Sequence, residues 1–447
     1  MKGLIQTLRN IWSIPELRSR ILFTLMLLAV YRLGSYIVLP GINSEILENL
    51  FSRSQGEGIL GVLNTFVGGA FSRGSIFAFG IMPYISASSI IQLVGAVLPM
   101  IQKLQKEGES GQRKINQYTR FLAVFITVAQ ASGYVVNLTS QYAEAIVETT
   151  TFTLSTIVVL TAGTMFLVWL GERITEDGIG NGVSLIIMIG IISELPIALI
   201  NESQSNAPMI FYIELLSLAF VTMGVILLTQ ATRKIPVNYA RRMMGNRMMG
   251  GSMNNITRSS IPLKLNASGV MPIIFAQSLM FIPATVAQFF PESDFWTSTG
   301  AWFANFTSIP YNISFAVLII VFTYFYTAIA VNPNDIAESL KRNGAFIPNV
   351  KPGRPTSEYI DEILTRITLP GSIFLALIAL MPAIITGFGV SNQFAQFFGG
   401  TSLLIMIGVV LDTLQQIESH LLMRHYDGLM KTGRIKGRGT PVTPIAK

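Results

Sequence analysis

The amino-acid sequence predicts an all-α integral membrane protein with ten transmembrane helices. Of the 447 residues, 51% are hydrophobic and only 12% are charged, whereas an average soluble domain is about 25% charged. A helix needs about 20 apolar residues to cross the hydrocarbon core of a bilayer, and ten segments approach that length. The sequence contains no cysteine, so we expect neither disulfides nor a cysteine-bound metal centre.

The ten predicted spans follow one another along the chain. They are residues 21–38, 76–101, 121–138, 152–170, 182–200, 210–229, 269–290, 313–331, 370–386 and 399–417. In residues 1–20, Leu4, Leu8 and Ile11 recur at helical spacing, which predicts a short amphipathic helix on the membrane surface. This segment has no continuous apolar stretch, and no small-residue cleavage site follows residues 21–38, so we expect no cleaved signal peptide.

Basic residues are concentrated in alternate loops of this arrangement. Six segments hold 28 of the 31 Lys and Arg residues, and the remaining loops hold almost none. These segments are residues 1–20, 102–120, 171–181, 230–268, 332–369 and 418–447. Because cytoplasmic loops of membrane proteins are enriched in Lys and Arg, the pattern predicts that both termini are cytoplasmic. An even number of spans requires the same result.

The ten spans divide into two groups of five, joined near residues 201–209. We expect residues 21–200 to form an N-terminal half and residues 201–417 to form a C-terminal half. Residues 418–447 would then be a cytoplasmic tail. The two halves share no strong sequence identity, and the division follows from how common internal repeats are in transport proteins.

Charged residues inside the predicted spans point to an ion path only where they lie near the midplane. We single out Arg32, Glu214 and Asp412, which lie towards the ends of their spans. These positions favour interface-level charges that pair with neighbours or reach the membrane surface. A transporter coupled to protons or sodium needs an acidic residue deeper in the membrane, so the pattern weighs against one.

The segment at residues 61–74, GVLNTFVGGAFSRG, is half apolar, rich in glycine and too short to span the membrane. Lipid cannot satisfy irregular backbone, so such a segment must be buried in protein or line a cavity if it lies at membrane depth. Two interpretations stay open for it. It is either an ordinary surface hairpin or a re-entrant plug.

The second and seventh spans share a pattern of residues. Each has a proline near its start, and each places two side chains four residues apart on one helix face: Ile81 and Ile85, and Ile274 and Ser278. Core packing explains this spacing when it is taken alone. Hydroxyl and amide side chains recur on both spans, namely Ser86, Ser88, Ser89, Gln92, Gln277 and Ser278. In lipid such groups link helices weakly, by about 0.6 kcal/mol on average, so a seam between these spans could open.

The two largest cytoplasmic loops are candidates for contact with partners. Residues 230–268 carry seven Lys and Arg residues and no acidic residue, together with methionine pairs at 243–244 and 248–249. Methionine repacks easily against varied surfaces, so we interpret this loop as a docking surface, although a basic loop also serves simply to fix topology. It lacks the stacked aromatics that read RNA bases, but electrostatic contact with RNA phosphates is possible.

Several stretches together resemble the SecY family, the channel subunit of the general protein translocase. They are FVGGAFSRGSIFAFGIMPYISASSIIQL, KEGESGQRKINQYTR, GTMFLVWLGERITEDGIGNG, VNYARRMMG, PLKLNASGVMPIIFAQS, NPNDIAESLKRNGAFIPNVKPG and FGGTSLLI. The resemblance covers roughly residues 15–440 and keeps the order of the family motifs. It implies a channel for unfolded secretory polypeptides, with ten helices in two pseudo-symmetric halves around an hourglass pore and a lateral exit into lipid.

The resemblance also implies roles for individual residues. The pore ring would be Ile81, Ile85, Ile187, Ile274, Ser278 and Ile405. The plug would cover residues 59–73, with Asn64, Phe66, Gly68, Gly69, Phe71 and Arg73. The lateral gate would run between the second and seventh helices, with Ser86, Gln92 and Gln277. Partner docking would use Arg241, Arg242, Arg247, Lys341, Arg342, Lys351 and Arg354.

The partners that the resemblance implies are the translating ribosome, the SecA motor, small SecE-like and SecG-like membrane subunits, signal peptides with their nascent chains, and anionic lipids. The location would be the bacterial cytoplasmic (inner) membrane. One departure lies in the second large loop, where Lys351 replaces the usual Arg and Asn349 replaces the usual Gly. Lys keeps the charge but loses the planar donor fork of Arg, so a bidentate contact there would be weakened.

Three other classes of protein fit the sequence less well. A secondary transporter would need a polar or charged midplane site, and an intramembrane enzyme would need catalytic groups within the spans, whereas both His420 and His425 lie outside them. A structural scaffold would not need a plug-like segment. The glycine-rich run at residues 171–182 lacks the Lys and Ser/Thr of a phosphate-binding loop, so we expect a tight turn there, no nucleotide site and no cofactor.

Overall fold

The computed structural model describes residues 14–53, 59–141, 143–146, 151–205, 208–239, 259–266, 269–289, 295, 298, 300, 302–303 and 305–432. The predicted N-terminal amphipathic helix lies almost entirely outside these residues. So do Arg241, Arg242 and Arg247 of the first docking loop, and the end of the predicted cytoplasmic tail.

Eight α-helices make up the N-terminal part of the described chain. They are α1 (Pro15–Gly34), α2 (Ser44–Arg53), α3 (Ile59–Val67), α4 (Met82–Val97), α5 (Pro99–Lys106), α6 (Glu109–Gln141), α7 (Phe152–Asp177) and α8 (Gly182–Ser205). Helices α7 and α8 are separated by the glycine-rich run at 178–181, which confirms the turn expected there. The longer helices pack in series, α4 on α6, α6 on α7 and α7 on α8.

Seven further helices and a small sheet follow. The helices are α9 (Pro208–Gln230), α10 (Met271–Phe289), α11 (Ile309–Ala330), α12 (Pro333–Arg342), α13 (Arg354–Thr386), α14 (Asn392–Ala395) and α15 (Gly400–Thr432). The strands are β1 (Thr232–Tyr239), β2 (Ser259–Lys264) and β3 (Ala345–Phe346). Helix α11 packs against α10 and α13, and the two parts of the chain meet where α4 contacts α10 and α8 contacts α15.

Seven of the described helical segments are long and apolar enough to cross a membrane, as judged by length and composition. They lie in α6, α7, α8, α9, α11, α13 and α15. Helices α4 and α5 meet at an angle of 105°, and they add an eighth if the bent pair forms one span. The protein is therefore a multi-pass membrane protein, while the count of ten spans stays a prediction.

The predicted second span, residues 76–101, is not one continuous helix. Its first six residues form turns, helix α4 begins only at Met82, and the bend follows at Leu98. Leu98 has an extended conformation, with ψ at 119°, because the ring of the following proline disfavours the helical region for the residue before it. Pro99 then begins α5 at a position where its missing N–H costs nothing.

The expectation of an all-α protein is wrong in the loops that join α9 to α10 and α11 to α13. Strand β1 pairs in antiparallel register with β2 on one side and β3 on the other. Ile235 and Val237 of β1 are buried against Ile360 and Leu364 of α13 in an apolar cluster separate from the main core. The two predicted docking loops therefore share one folded unit, which the start of α13 completes.

Candidate functional site

All six predicted ring residues are buried. The exposed fraction is 6% or less for each of Ile81, Ile85, Ile187, Ile274, Ser278 and Ile405. The five isoleucines belong to one apolar cluster that forms the main core. They come from α4 and the residue that precedes it, α8, α10 and α15, which are the helices at which the two parts of the chain meet.

Residues 59–74, which comprise α3 and the turn that follows it and are called the α3 segment below, contribute to the same cluster as the ring isoleucines. Phe66, Val67 and Phe71 are buried there, and helix α3 packs against α8. Gly190 of α8 allows this close approach, since a Cβ at that position would lie 2.2 Å from the backbone oxygen of Phe66. The interpretation of residues 61–74 as a surface hairpin is therefore wrong, because the segment is enclosed by protein.

A tight turn reverses the chain after α3. Gly68 and Gly69 have φ angles of 68° and 77°, which lie in the left-handed region that glycine adopts without steric cost. Asn64 holds the turn with two groups: its backbone oxygen accepts from the Gly69 amide at 2.9 Å, and its side-chain Oδ1 accepts from the Ser72 amide at 3.0 Å. Two glycines and an asparagine thus fix the shape of the predicted plug.

Charged side chains fasten this turn to the surrounding helices. Arg32 of α1 donates to the Gly68 oxygen at 3.0 Å. Arg73 lies 3.6 Å from Glu194 of α8 in an ion pair whose side chains are 14% and 6% exposed. Sequence reasoning missed Glu194, although it lies inside the predicted span 182–200. The available signal was an acidic residue within a span together with an arginine beside a glycine-rich segment, since two such charges can pair inside the membrane.

A buried hydrogen bond joins the α3 segment to the C-terminal part of the chain. The Thr65 hydroxyl donates to Oε1 of Gln396 at 2.7 Å, and the two residues are 5% and 7% exposed. Gln396 lies in the turn between α14 and α15. The sequence gave no signal for this pair, because the two residues are 331 positions apart and neither belongs to a charged pattern.

The predicted gate residues make different contacts. Helix α4 packs against α10, and Ser86 lines a small cavity of about 10 Å³ between them. Gln92 accepts a hydrogen bond from the hydroxyl of Tyr326 on α11, so its contact crosses between the two parts of the chain. Gln277 instead contacts the Tyr311 hydroxyl at 3.5 Å, within the C-terminal part. Sequence reasoning missed both tyrosines.

The serines of these two helices do not link them. The Ser89 hydroxyl donates to the backbone oxygen of Ile85 at 2.7 Å, and the Ser278 hydroxyl donates to that of Ile274 at 2.9 Å. Each bond stays within its own helix, which is a common way for a helical serine to satisfy its hydroxyl. The idea that hydroxyls join the second and seventh spans is therefore wrong for these two serines.

Four of the predicted docking residues lie among the described residues, and all four are exposed. Lys341 and Arg342 end α12, Lys351 precedes α13, and Arg354 begins it. Arg342 and Arg354 form exposed ion pairs with Glu338 and Glu358 on the same helices, at 2.8 Å and 3.1 Å. Residues 332–369 hold five acidic residues as well as five basic ones, so the charge of this surface is mixed.

The loop between α12 and α13 explains one departure from the family pattern. Asn349 has a φ of 67°, and among the described residues other than glycine it alone has a positive φ. Asparagine tolerates this left-handed conformation better than most residues. It can therefore stand where the family usually has glycine, and the fold of the loop does not depend on that glycine.

Three charges were singled out within the spans. Arg32 contacts the α3 turn and donates to the Tyr36 hydroxyl at 3.1 Å, as expected for a paired charge. Glu214 is buried on α9, at 7% exposed. Asp412 is exposed to a cavity at the start of α8 and α10. Among the described residues, no group of three His, Asp or Glu side chains could hold a metal ion.

The family model and the similar proteins all point to the same family. The family model described as SecY matches residues 75–414. The protein translocase subunit SecY of Streptomyces galbus is 42% identical over 433 residues, which cover 93% of this chain and 98% of that protein. The protein of the same name from Thermotoga maritima is 39% identical over 441 residues, which cover 97% and 99%.

Solved structures share the fold at low sequence identity. A structure described as a protein conducting channel aligns with a TM-score of 0.62 at 16% identity, covering 93% of this chain and 94% of that one. A structure described as Sec61 in a canine ribosome–channel complex from the endoplasmic reticulum aligns with a TM-score of 0.58 at 15% identity, with the same coverage. The second likeness extends the shared fold to a eukaryotic channel.

Proposed function

The chain belongs to the SecY family of protein translocase subunits, and we propose that polypeptides pass through it at the six-residue ring described above. The sequence resemblance is confirmed, and the protein is a protein-conducting channel that serves translocation across a membrane. One observation carries the choice of path: five isoleucines from four neighbouring helices lie in a single apolar cluster that also encloses the α3 segment.

The ring suits a channel that must hold back ions and still admit an unfolded chain. An ion that enters a narrow apolar constriction loses hydration water and finds no replacement ligand. Branched side chains provide this barrier without fixed charge. Aliphatic side chains have several staggered rotamers, so such a ring can adapt to the differing side chains of a passing polypeptide.

Residues 59–73 act as a plug in this proposal. Their enclosure beside the ring, the contacts of Arg32 and Arg73, and the bond from Thr65 to Gln396 support it. The plug would close the path at rest and move when a polypeptide enters. The hydrogen bond to Gln396 would then break, since it ties the plug to the opposite part of the chain.

The contact between α4 and α10 serves as a lateral gate in this proposal, around an hourglass-shaped path between two halves of five spans. A segment of about 20 apolar residues gains free energy by leaving sideways into lipid. A central Asp, Lys or Arg costs about 2.5–3.5 kcal/mol on insertion scales, so polar segments continue across the membrane. The sequence has no nucleotide-binding motif, so a partner must supply the driving energy.

The exposed surface of the β-sheet unit and of the adjoining α12–α13 loop is the proposed docking site for the ribosome and the SecA motor. The likeness to a channel that is described in complex with a ribosome supports the ribosome as a partner. Lys341, Arg342, Lys351 and Arg354 would contribute to it, together with Arg241, Arg242 and Arg247 of the preceding loop. SecE-like and SecG-like subunits, nascent chains with signal peptides, and anionic lipids complete the proposed set of partners.

The proposed location is the bacterial cytoplasmic membrane, with both termini in the cytoplasm. The bacterial origin of the relatives and the alternation of basic loops in the sequence support it. The cytoplasmic side would then be the side of the β-sheet unit and of the turn between α7 and α8.

Crosslinking of a stalled secretory chain tests the path. The protein has no cysteine, so Ile274→Cys and Ile187→Cys each introduce a single reactive site at the ring. A stalled precursor with one cysteine at membrane depth is expected to form disulfides with both variants under mild oxidation. A matched control is Leu216→Cys on α9, whose side chain is 74% exposed. Crosslinking at position 216 without crosslinking at 274 and 187 would show that the polypeptide takes another route.

A further inference from the structure

A cavity of about 430 Å³, lined by both apolar and polar groups, lies where the N-termini of α8 and α10 approach the middle of α15. Its volume falls within the usual range for sites that hold a side chain or a small ligand. Most of its polar groups are neutral amides and hydroxyls. The polar residues that line it are Asn181, Ser184, Asp412, Thr413, Gln415, Gln416 and Ser419.

The cavity opens next to the ring. Three of its lining residues, Ser184, Met271 and Val409, lie three or four positions from the ring residues Ile187, Ile274 and Ile405 on the same helices. One helical turn is about 5.4 Å, so the cavity is the space immediately before the ring. The positive-inside pattern places this end of the three helices at the cytoplasm.

Asp412 gives the cavity its charge. It is the acidic residue among the described residues that line the cavity, and its side chain is exposed. The nearby cation is Lys264 at the end of β2, which donates to Oε1 of Gln415 at 3.4 Å and whose charge acts on the Asp412 carboxylate. Lys264 and Asp412 form no ion pair within 4.0 Å among the described residues, so the exposed carboxylate can accept a second cation.

We propose that Asp412 binds the Lys and Arg side chains of the polypeptide as it enters the channel, so that this cavity reads positive charge before the ring. A secretory signal places a positively charged region directly before its apolar stretch. Asp412 lies seven residues from Ile405 along α15, about 10 Å, so a basic residue held there would leave the following apolar stretch at the ring and the α4–α10 contact. This inference rests on the proposed function and specifies which polypeptides the channel favours, namely those with a basic region before the apolar stretch.

Paired substrates test the inference. Two preproteins that differ only in their N-terminal region, with four lysines or with none, are translocated into proteoliposomes of one fixed lipid composition that contain the complete translocase. The quantity measured is the translocation rate of the preprotein with four lysines divided by that of the preprotein without them. We expect Asp412→Asn to lower this ratio about two- to fivefold, as the loss of one partly exposed ion pair does, and Asp412→Glu to restore it. Glu418→Gln removes an exposed charge from the same helix outside the cavity and should leave the ratio at the wild-type value.

Two outcomes would overturn the inference. The first is an unchanged ratio in Asp412→Asn, even if both rates fall together. The second is an equal fall of the ratio in Glu418→Gln, since the effect would then belong to the general charge of α15. Failure of the proposed path looks different, because a stalled precursor would then not crosslink to Ile274→Cys or Ile187→Cys. Anionic lipids attract basic regions in every variant alike, so they do not affect the comparison.

Discussion

The two contacts between the N-terminal and C-terminal parts of the chain differ in how they are fastened. Helix α8 contacts both α14 and α15, and we call this contact the α8–α15 junction. Before α8 begins, the Gly180 amide donates to Oε1 of Gln416 on α15 at 2.9 Å, and near the end of α8 Glu202 accepts from both the amide and the hydroxyl of Ser391, which directly precedes α14. At the α4–α10 seam, Gln92 of α4 bonds to Tyr326, which lies on the neighbouring α11. Among the described residues, side-chain hydrogen bonds thus fasten the first junction at both ends of a helix and the seam at one point.

This difference indicates which of the two contacts can open more easily. Hydrogen bonds to a charged group stabilise by about 1.5–3 kcal/mol, whereas side-chain bonds between helices in lipid average about 0.6 kcal/mol. The seam is otherwise held by apolar side chains, and apolar contact gives little preference over lipid because lipid tails are equally apolar. If the proposed lateral gate exists, we therefore expect it to open at the seam and to turn about the α8–α15 junction, as in hinge motions of packed domains.

Loss of Glu202 should have the largest effect on stability. Glu202 is 0% exposed, so Glu202→Ala removes two buried bonds to a carboxylate and should lower the free energy of unfolding by about 2 kcal/mol. Glu202→Gln keeps an acceptor oxygen and should cost less. The measurement is thermal unfolding of the purified protein in detergent.

The control for this prediction is Glu176→Ala, which removes an exposed pair with Arg173 on α7. Such surface pairs contribute about 0–1 kcal/mol. If Glu202→Ala were no more destabilising than Glu176→Ala, the α8–α15 junction would not be the stronger of the two.

An intermediate effect is expected at the plug. Thr65→Val keeps the shape of the side chain but removes the donor to Gln396, which should cost about 1 kcal/mol and raise the resting ion conductance in planar bilayers. Thr127→Val is a control, because Thr127 is also buried, but its hydroxyl donates only within its own helix, to Ala123 at 2.7 Å, whereas the Thr65 hydroxyl reaches both Gly61 of its own helix and Gln396. Equal conductance in the two variants would mean that the bond to Gln396 does not hold the plug.

Much of the helical architecture could be predicted from the sequence. Long apolar segments such as residues 152–170 and 182–200 became helices because a bilayer core imposes their length, and α7 and α8 overlap these spans. The rule that irregular backbone needs protein partners at membrane depth also made burial of the α3 segment one of the two open interpretations.

The β-sheet unit and the polar ties could not be predicted in this way. Strands β1 and β3 pair across more than 100 residues, and β3 has only two residues, so no local pattern marks it. The acceptor of a buried hydroxyl is equally invisible in the sequence, because a helical serine such as Ser89 can bond to its own backbone instead of to a neighbour. Gln92 makes a contact between the two parts of the chain, but its partner Tyr326 belongs to a helix that the sequence did not link to the seam, so the gate role of Gln92 stays a prediction.

The smallest effect is expected at the hydrogen bond between Gln92 and Tyr326. It should appear in how test segments divide between membrane insertion and translocation, rather than in the free energy of unfolding. Tyr326→Phe removes the donor to Gln92, which should favour seam opening by about 0.6 kcal/mol. For a test segment of marginal hydrophobicity, this corresponds to about a threefold rise in the ratio of membrane-inserted to translocated product.

Tyr324→Phe is the control, since Tyr324 is also half-buried on α11. If the bond is the cause, Gln92→Leu should give the same rise, and the double variant should add nothing to either single one. Additive effects would show that the two residues act on sorting separately, and the seam would then lack the single polar tie that distinguishes it from the α8–α15 junction.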